Sequence, residues 1–540
     1  MKQNQAKPLL SLTGRDSTKL VPQTTARSDA VSVLDEPERA VPASYLFLVI
    51  LALPLILVGM LPVWKPEDGT NLILFLSAPL FMGFGLVPII YFVRKQASVS
   101  ITFVLVCIAY LLYFGLRAYY HVLVPEVVLF PNFDPATDLL YMHYGLLWGT
   151  VGLVAMTLGY LTTSAFFKPK WILQTKLVTQ IASLLDACSV PSLIIGFYVL
   201  GLIGRAYALV TNSASWIYNS PAYDLFASRP DPRIAGPISL FTEFCPLAFA
   251  AMLAYQYQRQ RTSAASRGLW LVAFGMFLIE LSYYAFSLFK FGLVGTLLIP
   301  WLVPVVWRKR LPKWGVLAVI FLGAVIFPVT NTARQDMRRF YSSASVTPGE
   351  EWATQFAQAT QNTYSQFSLE ARSFLDPTIV RFDGAESLAV AEKYLPQYGY
   401  EWGTTYLNLF SLAIPRVFRF WGSDPAFINW EQDYVGMPSY NLTVFPMPAL
   451  VEAYLNFGLV GVLSVMFLIG VLYRFVDVFL FNILNALMTG LLLLIFWHLL
   501  DIESNLFIVL PAMFKTTMVF LGLCWLSHRM FLSRVQTRGQ

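Results

Sequence analysis

Charged side chains are scarce in this chain. They make up 13% of its 540 residues, against 57% hydrophobic, where soluble domains carry about 25% charged residues. That shortage excludes an ordinary soluble globular protein. Cysteine is rare too. Cys107, Cys188, Cys245 and Cys524 all fall in or beside apolar runs, so neither a disulfide framework nor a cysteine-based metal site is indicated. His121, His143, His498 and His528 are scattered along the chain, which argues against a zinc site. The net charge of +6 is modest, and Lys and Arg gather at the ends of apolar runs. That is the pattern of membrane topology, and no nucleic-acid partner is expected. No short basic segment leads directly into an apolar core near the start, so no signal peptide is expected.

What the chain does have is repeated apolar runs, each near the ~20 residues that a bilayer requires. They predict an all-α polytopic membrane protein with about twelve transmembrane helices and one large, partly helical external loop. The expected spans are roughly 44–63, 71–92, 99–119, 139–162, 189–209, 237–257, 268–287, 291–307, 314–330, 448–472, 478–499 and 506–526. The expected organisation is a disordered cytoplasmic tail (1–42), a transmembrane bundle (43–330), a large external loop domain (331–447), C-terminal spans (448–527) and a cytoplasmic tail (528–540). One set of connecting segments is rich in Lys and Arg: Arg94 with Lys95, Lys168 with Lys170 and Lys176, Arg308 through Lys313, and Arg474. The positive-inside rule puts that set and both termini in the cytoplasm, and the loop outside. Two smaller outer segments, 119–138 and 210–236, carry aromatic and ionisable residues that suit an interfacial belt.

The loop shows helical punctuation. Thr347-Pro348-Gly349-Glu350 reads as a helix start, followed by apolar residues at helical spacing. Asp383 with Glu386 suggests a second start and Pro396 a stop; a third helix is expected from about Thr404 to Ala413, ending before Pro415. Ionisable residues within expected spans, namely Arg205, Glu243, Glu280, Glu452 and Lys515, each need a partner or a cavity, because a mid-bilayer charge costs about 3 kcal/mol. An interhelical ion pair is the plain alternative to a functional role. The loop also favours arginine strongly: Arg334, Arg338, Arg339, Arg372, Arg381, Arg416 and Arg419 stand against one lysine, Lys393. A guanidinium grips phosphate bidentately, so an arginine-rich pocket at a membrane surface suits a lipid-linked diphosphate.

The second half of the loop carries Tyr400-Glu-Trp-Gly-Thr-Thr-Tyr406, then Ile414-Pro-Arg416, then Pro446-Met-Pro-Ala-Leu-Val-Glu452-Ala-Tyr-Leu-Asn-Phe-Gly458. This stretch resembles the Wzy-type O-antigen or oligosaccharide repeat-unit polymerase family. The last segment is the most specific match, and the chain departs from the pattern at Asp424-Pro425, where a Lys-Pro pair is expected. The resemblance implies a glycosyltransferase of the bacterial inner membrane. Its substrate would be a lipid-linked oligosaccharide on polyprenyl diphosphate. Membrane lipids would surround it, and a chain-length regulator and a flippase would be its partners. The leaving group is already activated, so no cofactor and no metal is expected. Arg334, Arg338 and Arg416 would hold the diphosphate, supported by Arg339 and Arg381. Glu452 would act as the base or orient an arginine. Trp402, Tyr406, Tyr454 and Asn456 would line the sugar path. O-antigen ligases share this plan and this donor, and a multi-pass transporter is the further alternative. No repeat relates the two halves of the chain, which counts against the transporter.

Overall fold

The structure is a computed structural model. It describes residues 72–93, 100–124, 130, 132–134, 137–166, 173–210, 238, 240–260, 267–286, 290–308, 383–414, 430–436, 447–483, 485–502 and 506–538. Among these residues there is no strand. The helices are α1 (Ile73–Phe92), α2 (Ile101–Leu123) and α3 (Leu139–Phe166). Next come α4 (Lys176–Cys188), α5 (Pro191–Val210), α6 (Phe244–Gln260), α7 (Arg267–Phe286) and α8 (Lys290–Arg308). Then follow α9 (Gly384–Tyr398), α10 (Thr404–Ala413), α11 (Ala449–Asn482), α12 (Ala486–Leu500) and α13 (Leu506–Arg538). Seven segments are long and apolar enough to cross a membrane: α1, α2, Leu139–Thr163, Pro191–Ala208, Arg267–Ala285, α11 and Val509–Met530. Gly292–Trp307 and Ala486–Leu500 are shorter apolar helices. The expected spans 44–63 and 314–330, the tail 1–42 and the helix expected after Thr347 lie outside the described residues.

Glycine sets how these helices pack. In a bilayer, lipid tails are as apolar as leucine, so helices associate through close backbone approach and buried polar contacts. The principal seam joins α3 to α11. A Cβ on Gly470 would run into the Met156 carbonyl, 2.8 Å from its carbon, and one on Gly159 would sit 2.9 Å from the Phe467 carbonyl carbon. Higher along the same seam, Gly152 leaves room for Leu450, Val462 and Met466. Gly201 and Gly204 do the same for α5 against Cys245 and Thr242, and Gly490 for α12 against Ala251.

Buried charge supplies the second kind of tie. Arg205 and Glu280 form a bidentate pair between α5 and α7, at 2.8 and 2.7 Å, with Tyr198 donating to the same carboxylate at 3.1 Å. The Arg205 guanidinium lies over the Tyr283 ring, 4.0 Å from its centroid. These two intramembrane charges are therefore an interhelical ion pair. Glu243 stands 3.4 Å from His498 in the same half of the bundle.

One boundary is corrected. A turn was expected between spans 448–472 and 478–499, at Arg474. Instead α11 continues to Asn482, and the turn falls later, where Asn485 caps α12 by accepting from the Met488 N–H at 2.7 Å. The helix carries its polar residues through because they are answered. Asp477 accepts from the hydroxyls of Ser100, Thr102 and Tyr160, the last at 2.6 Å, and Arg474 lies over the Tyr160 ring. A second difference is α4. Its residues were expected to be a plain basic connection, but they form an amphipathic helix whose Leu185 and Cys188 are buried.

Gly470→Ala is expected to force α3 and α11 apart at a backbone contact that cannot yield. The cost of such overpacking is about 1–3 kcal/mol. Thermal unfolding of the purified protein in detergent should register it as a lowered midpoint. An unchanged midpoint would show that the α3–α11 approach is not tight.

Candidate functional site

Helix α9 belongs to the stretch expected to form the external loop, yet it lies buried against α3. Its first half, Gly384-Ala-Glu-Ser-Leu-Ala-Val-Ala391, is entirely buried, and apart from Glu386 it is made of small and apolar residues. Gly145 of α3 admits Leu388, whose Cβ would stand 2.8 Å from a Cβ added there, and Gly384 admits the Tyr113 ring. The expected start at Asp383 is where the helix begins, and the helix runs past Pro396 to Tyr398, ending at Gly399 with φ +78°. Pro396 offers no N–H to the Glu392 carbonyl, and the helix stops two residues later.

Four acidic or basic side chains of this segment hold it in place. Asp383 accepts from the Tyr113 hydroxyl. Glu386 pairs with Arg117, and His121 Nε2 lies 2.5 Å from the same carboxylate; both Arg117 and Glu386 are fully buried. Glu392 accepts from Trp148 Nε1 at 3.1 Å and from the Tyr454 hydroxyl. Lys393 reaches Asp138 at 2.7 Å and the Asn132 carbonyl at 3.1 Å. Burial pushes the Glu386 carboxyl up, but the hydrogen bond from His121 and the charge of Arg117 outweigh it, so it sits below its usual range. Burial raises Glu392, only partly offset by its two donors.

After α9 the chain turns back along a break in α11. Phe457 (φ −140°, ψ 16°) and Gly458 (φ 59°, ψ −140°) are non-helical, and the second conformation is open essentially to glycine alone. The carbonyls of Leu455 and Asn456 accept from the backbone N–H groups of Glu401 (3.0 Å) and Trp402 (3.1 Å). The Asn456 side chain completes the lock: Oδ1 accepts from the Gly403 N–H at 3.0 Å, and Nδ2 donates to Thr405 Oγ1 and to the Glu452 carbonyl, each at 2.8 Å. Tyr406 stacks on Phe457, with ring centroids 6.1 Å apart. Glu452 is fully buried, and its Oε2 accepts from the Leu506 N–H at 2.7 Å. A carboxylate at that place satisfies the first turn of α13 and its positive dipole end.

Of the site residues expected from the sequence, the structure brings Glu452, Tyr454, Asn456, Tyr406 and Trp402 to one seam. Their roles divide. Glu452 and Asn456 hold elements together, Tyr406 and Tyr454 pack inward, and Trp402 faces out, 74% exposed. Arg334, Arg338, Arg339, Arg381 and Arg416 lie outside the described residues. Three prominent residues carried no site signal in the sequence: Glu386 stood out only as part of a helix start, and Arg117 and Glu392 match no motif, because their partners lie far away in the chain. Among the described residues, no group of three or more His, Cys, Asp and Glu is placed to hold a metal ion.

The Glu386 pairing predicts a pH effect. Its carboxyl is depressed in the folded state, so its stabilisation is complete above its usual value of 4.5 and is lost as pH falls through the lower, folded value. Wild-type protein should melt at steadily lower temperature as it is acidified below that range. Glu386→Gln should flatten that dependence and cost roughly 3–5 kcal/mol at neutral pH, because Arg117 is left buried without its counter-charge. A variant that melts like wild type at every pH would remove Glu386 as an anchor.

No known protein family, no curated protein and no solved structure matches this chain.

Proposed function

We propose that this protein is a polymerase of polyprenyl-diphosphate-linked oligosaccharide repeat units, working at the outer face of a bacterial inner membrane in O-antigen or exopolysaccharide synthesis. It transfers the growing glycan from its lipid carrier onto a hydroxyl of the next lipid-linked unit. The observation that carries this reading is the interlock of two separate motifs. Tyr400–Tyr406 and Glu452–Gly458, which carry the resemblance to repeat-unit polymerases, clasp each other through three backbone N–H groups and one asparagine.

The reaction makes two demands on the protein. The anomeric C–O bond to the diphosphate breaks, so negative charge collects on the departing carrier. Arginine neutralises such charge without a metal, and Arg334, Arg338 and Arg416, with Arg339 and Arg381 beside them, are the residues we assign to it. The acceptor hydroxyl must also lose its proton as the new C–O bond forms. Glu392 is suited to receive it: half-buried, oriented by Trp148 and the motif residue Tyr454, and raised by burial. Glu452, already engaged at the start of α13, acts by positioning the seam.

The test is a strain lacking the gene, complemented with variants, with surface polysaccharide resolved on a gel. Deletion should leave single repeat units on the carrier or on lipid A, and wild type should restore the ladder. Glu392→Gln should lower polymer yield by about 100-fold or more at equal protein level, the usual weight of a general base. Arg416→Ala should do the same. Polymer that accumulates on the carrier without reaching lipid A would make the protein a ligase. Unchanged surface glycan in every strain would end the glycosyltransferase reading.

A further inference from the structure

At the motif seam three aromatic rings project outward. Tyr398 is 44% exposed, Tyr400 41% and Trp402 74%. Trp402 is the one described non-glycine residue with positive φ, at 49°. A bulky side chain in that region is an outlier, and such a conformation persists only where its surroundings impose it. Here the Trp402 N–H is held by the Asn456 carbonyl and its neighbour Glu401 by the Leu455 carbonyl. The strained backbone therefore aims an indole at the exterior and gains no burial by doing so.

The corner it makes is ordered. Tyr400 stands edge-on to Trp402, with centroids 5.6 Å apart and planes at 68°. Behind them Tyr398 packs on Tyr434 at 5.1 Å, and Tyr434 stacks on Trp430 at 5.3 Å within the π-helical turn Trp430–Tyr434. Glu401 lies between the two outer rings in sequence, and Asp433 precedes Tyr434, the ring on which Tyr398 packs, which brings that turn to the same corner; burial first and the Asp433 charge second push the Glu401 carboxyl up. Lys393, on the adjoining helix, is engaged by Asp138 and Asn132. A sugar ring has an apolar face of C–H groups and a rim of hydroxyls. The first packs on aromatic faces, and the second donates to carboxylates. Two carboxylates together also attract an ammonium and repel another carboxylate.

We propose that Tyr400 and Trp402, with Glu401 and Asp433 beside them, form a binding shelf for sugar rings of a glycan that is neutral or bears amino groups, and that the shelf rejects acidic sugars. The choice of a glycan as ligand rests on the polymerase reading above. The shelf adds the charge class of the sugar.

The experiment uses the full chain in lipid nanodiscs, titrated with oligomers of glucosamine, of N-acetylglucosamine and of galacturonate, and read by saturation-transfer NMR and calorimetry. Glucosamine oligomers should bind tightest at a pH where their amines are protonated, N-acetylglucosamine oligomers more weakly, and galacturonate oligomers not at all. Trp402→Ala should weaken binding about tenfold, the worth of one aromatic stacking contact, and Trp402→Phe should keep most of it at the same melting temperature. Glu401→Gln should erase the preference for the amino sugar and keep the neutral one. Galacturonate binding as tight as glucosamine, or a well-folded Trp402→Ala that binds like wild type, overturns the shelf. So does quenching of the Trp402 share of the fluorescence by brominated lipids, which would make the corner part of the membrane interface. No sugar binding with a ladder lost on deletion sinks the shelf alone. Sugar binding with an unchanged ladder sinks the polymerase reading and leaves the shelf standing.

Discussion

The broken helix is the constraint on which the seam depends. A helix satisfies its own backbone groups, and a break frees carbonyls that cost several kcal/mol if buried without partners in an apolar setting. In α11 the break at Phe457–Gly458 comes within a segment apolar enough to cross a membrane. The freed carbonyls of Leu455 and Asn456 are met by the amides of Glu401 and Trp402, which belong to a segment some fifty residues earlier. The loop motif is therefore a structural requirement of the span motif, and each fixes the other. Gly458 permits the break, and Tyr400 closes over it, its hydroxyl 2.8 Å from where a Cβ on Gly458 would stand.

A second constraint keeps that seam in register. Helix α9 leads into it, and α9 is held by charges that have no water to fall back on. Removing one member of a buried pair leaves the other stranded, so each partner enforces the position of the other. Glu386 with Arg117 and His121 anchors the start of α9, and Glu392 with Trp148 and Tyr454 ties its later turns to α3 and α11. The carboxylate that braces Tyr454 also faces partly outward, so this tie is only half-buried. Glu452 does the equivalent for α13, so three helices and the loop converge on the span that is broken.

Much of this was legible in the sequence. Apolar runs reveal themselves by length and composition, because a bilayer needs a fixed number of apolar residues. The start of α9 at Asp383 and the extent of α10, Thr404–Ala413, followed from capping and proline signals. The weight of the Glu452–Gly458 segment was visible as a pattern of residue types. The length of α11 was less legible, since Arg474 and Asp477 read as a turn until Tyr160, Ser100 and Thr102 are seen to answer Asp477.

What the sequence determined by itself is the material: apolar helices of membrane-spanning length, an arginine-biased stretch between residues 331 and 447, and two motifs of unusual composition. Local signals suffice for these because helix length, capping and hydropathy act over a few turns of chain. The tertiary structure decided which polar residues are spent on one another. Arg205 meets Glu280 across 75 positions, Arg117 meets Glu386 across 269, and Asn456 meets Thr405 across 51. No local pattern encodes such partners, because the energy of a buried charge depends on what stands opposite it. The same dependence turns Trp402 outward and Tyr406 inward from one short motif, since only the path of the backbone across the broken helix distinguishes them.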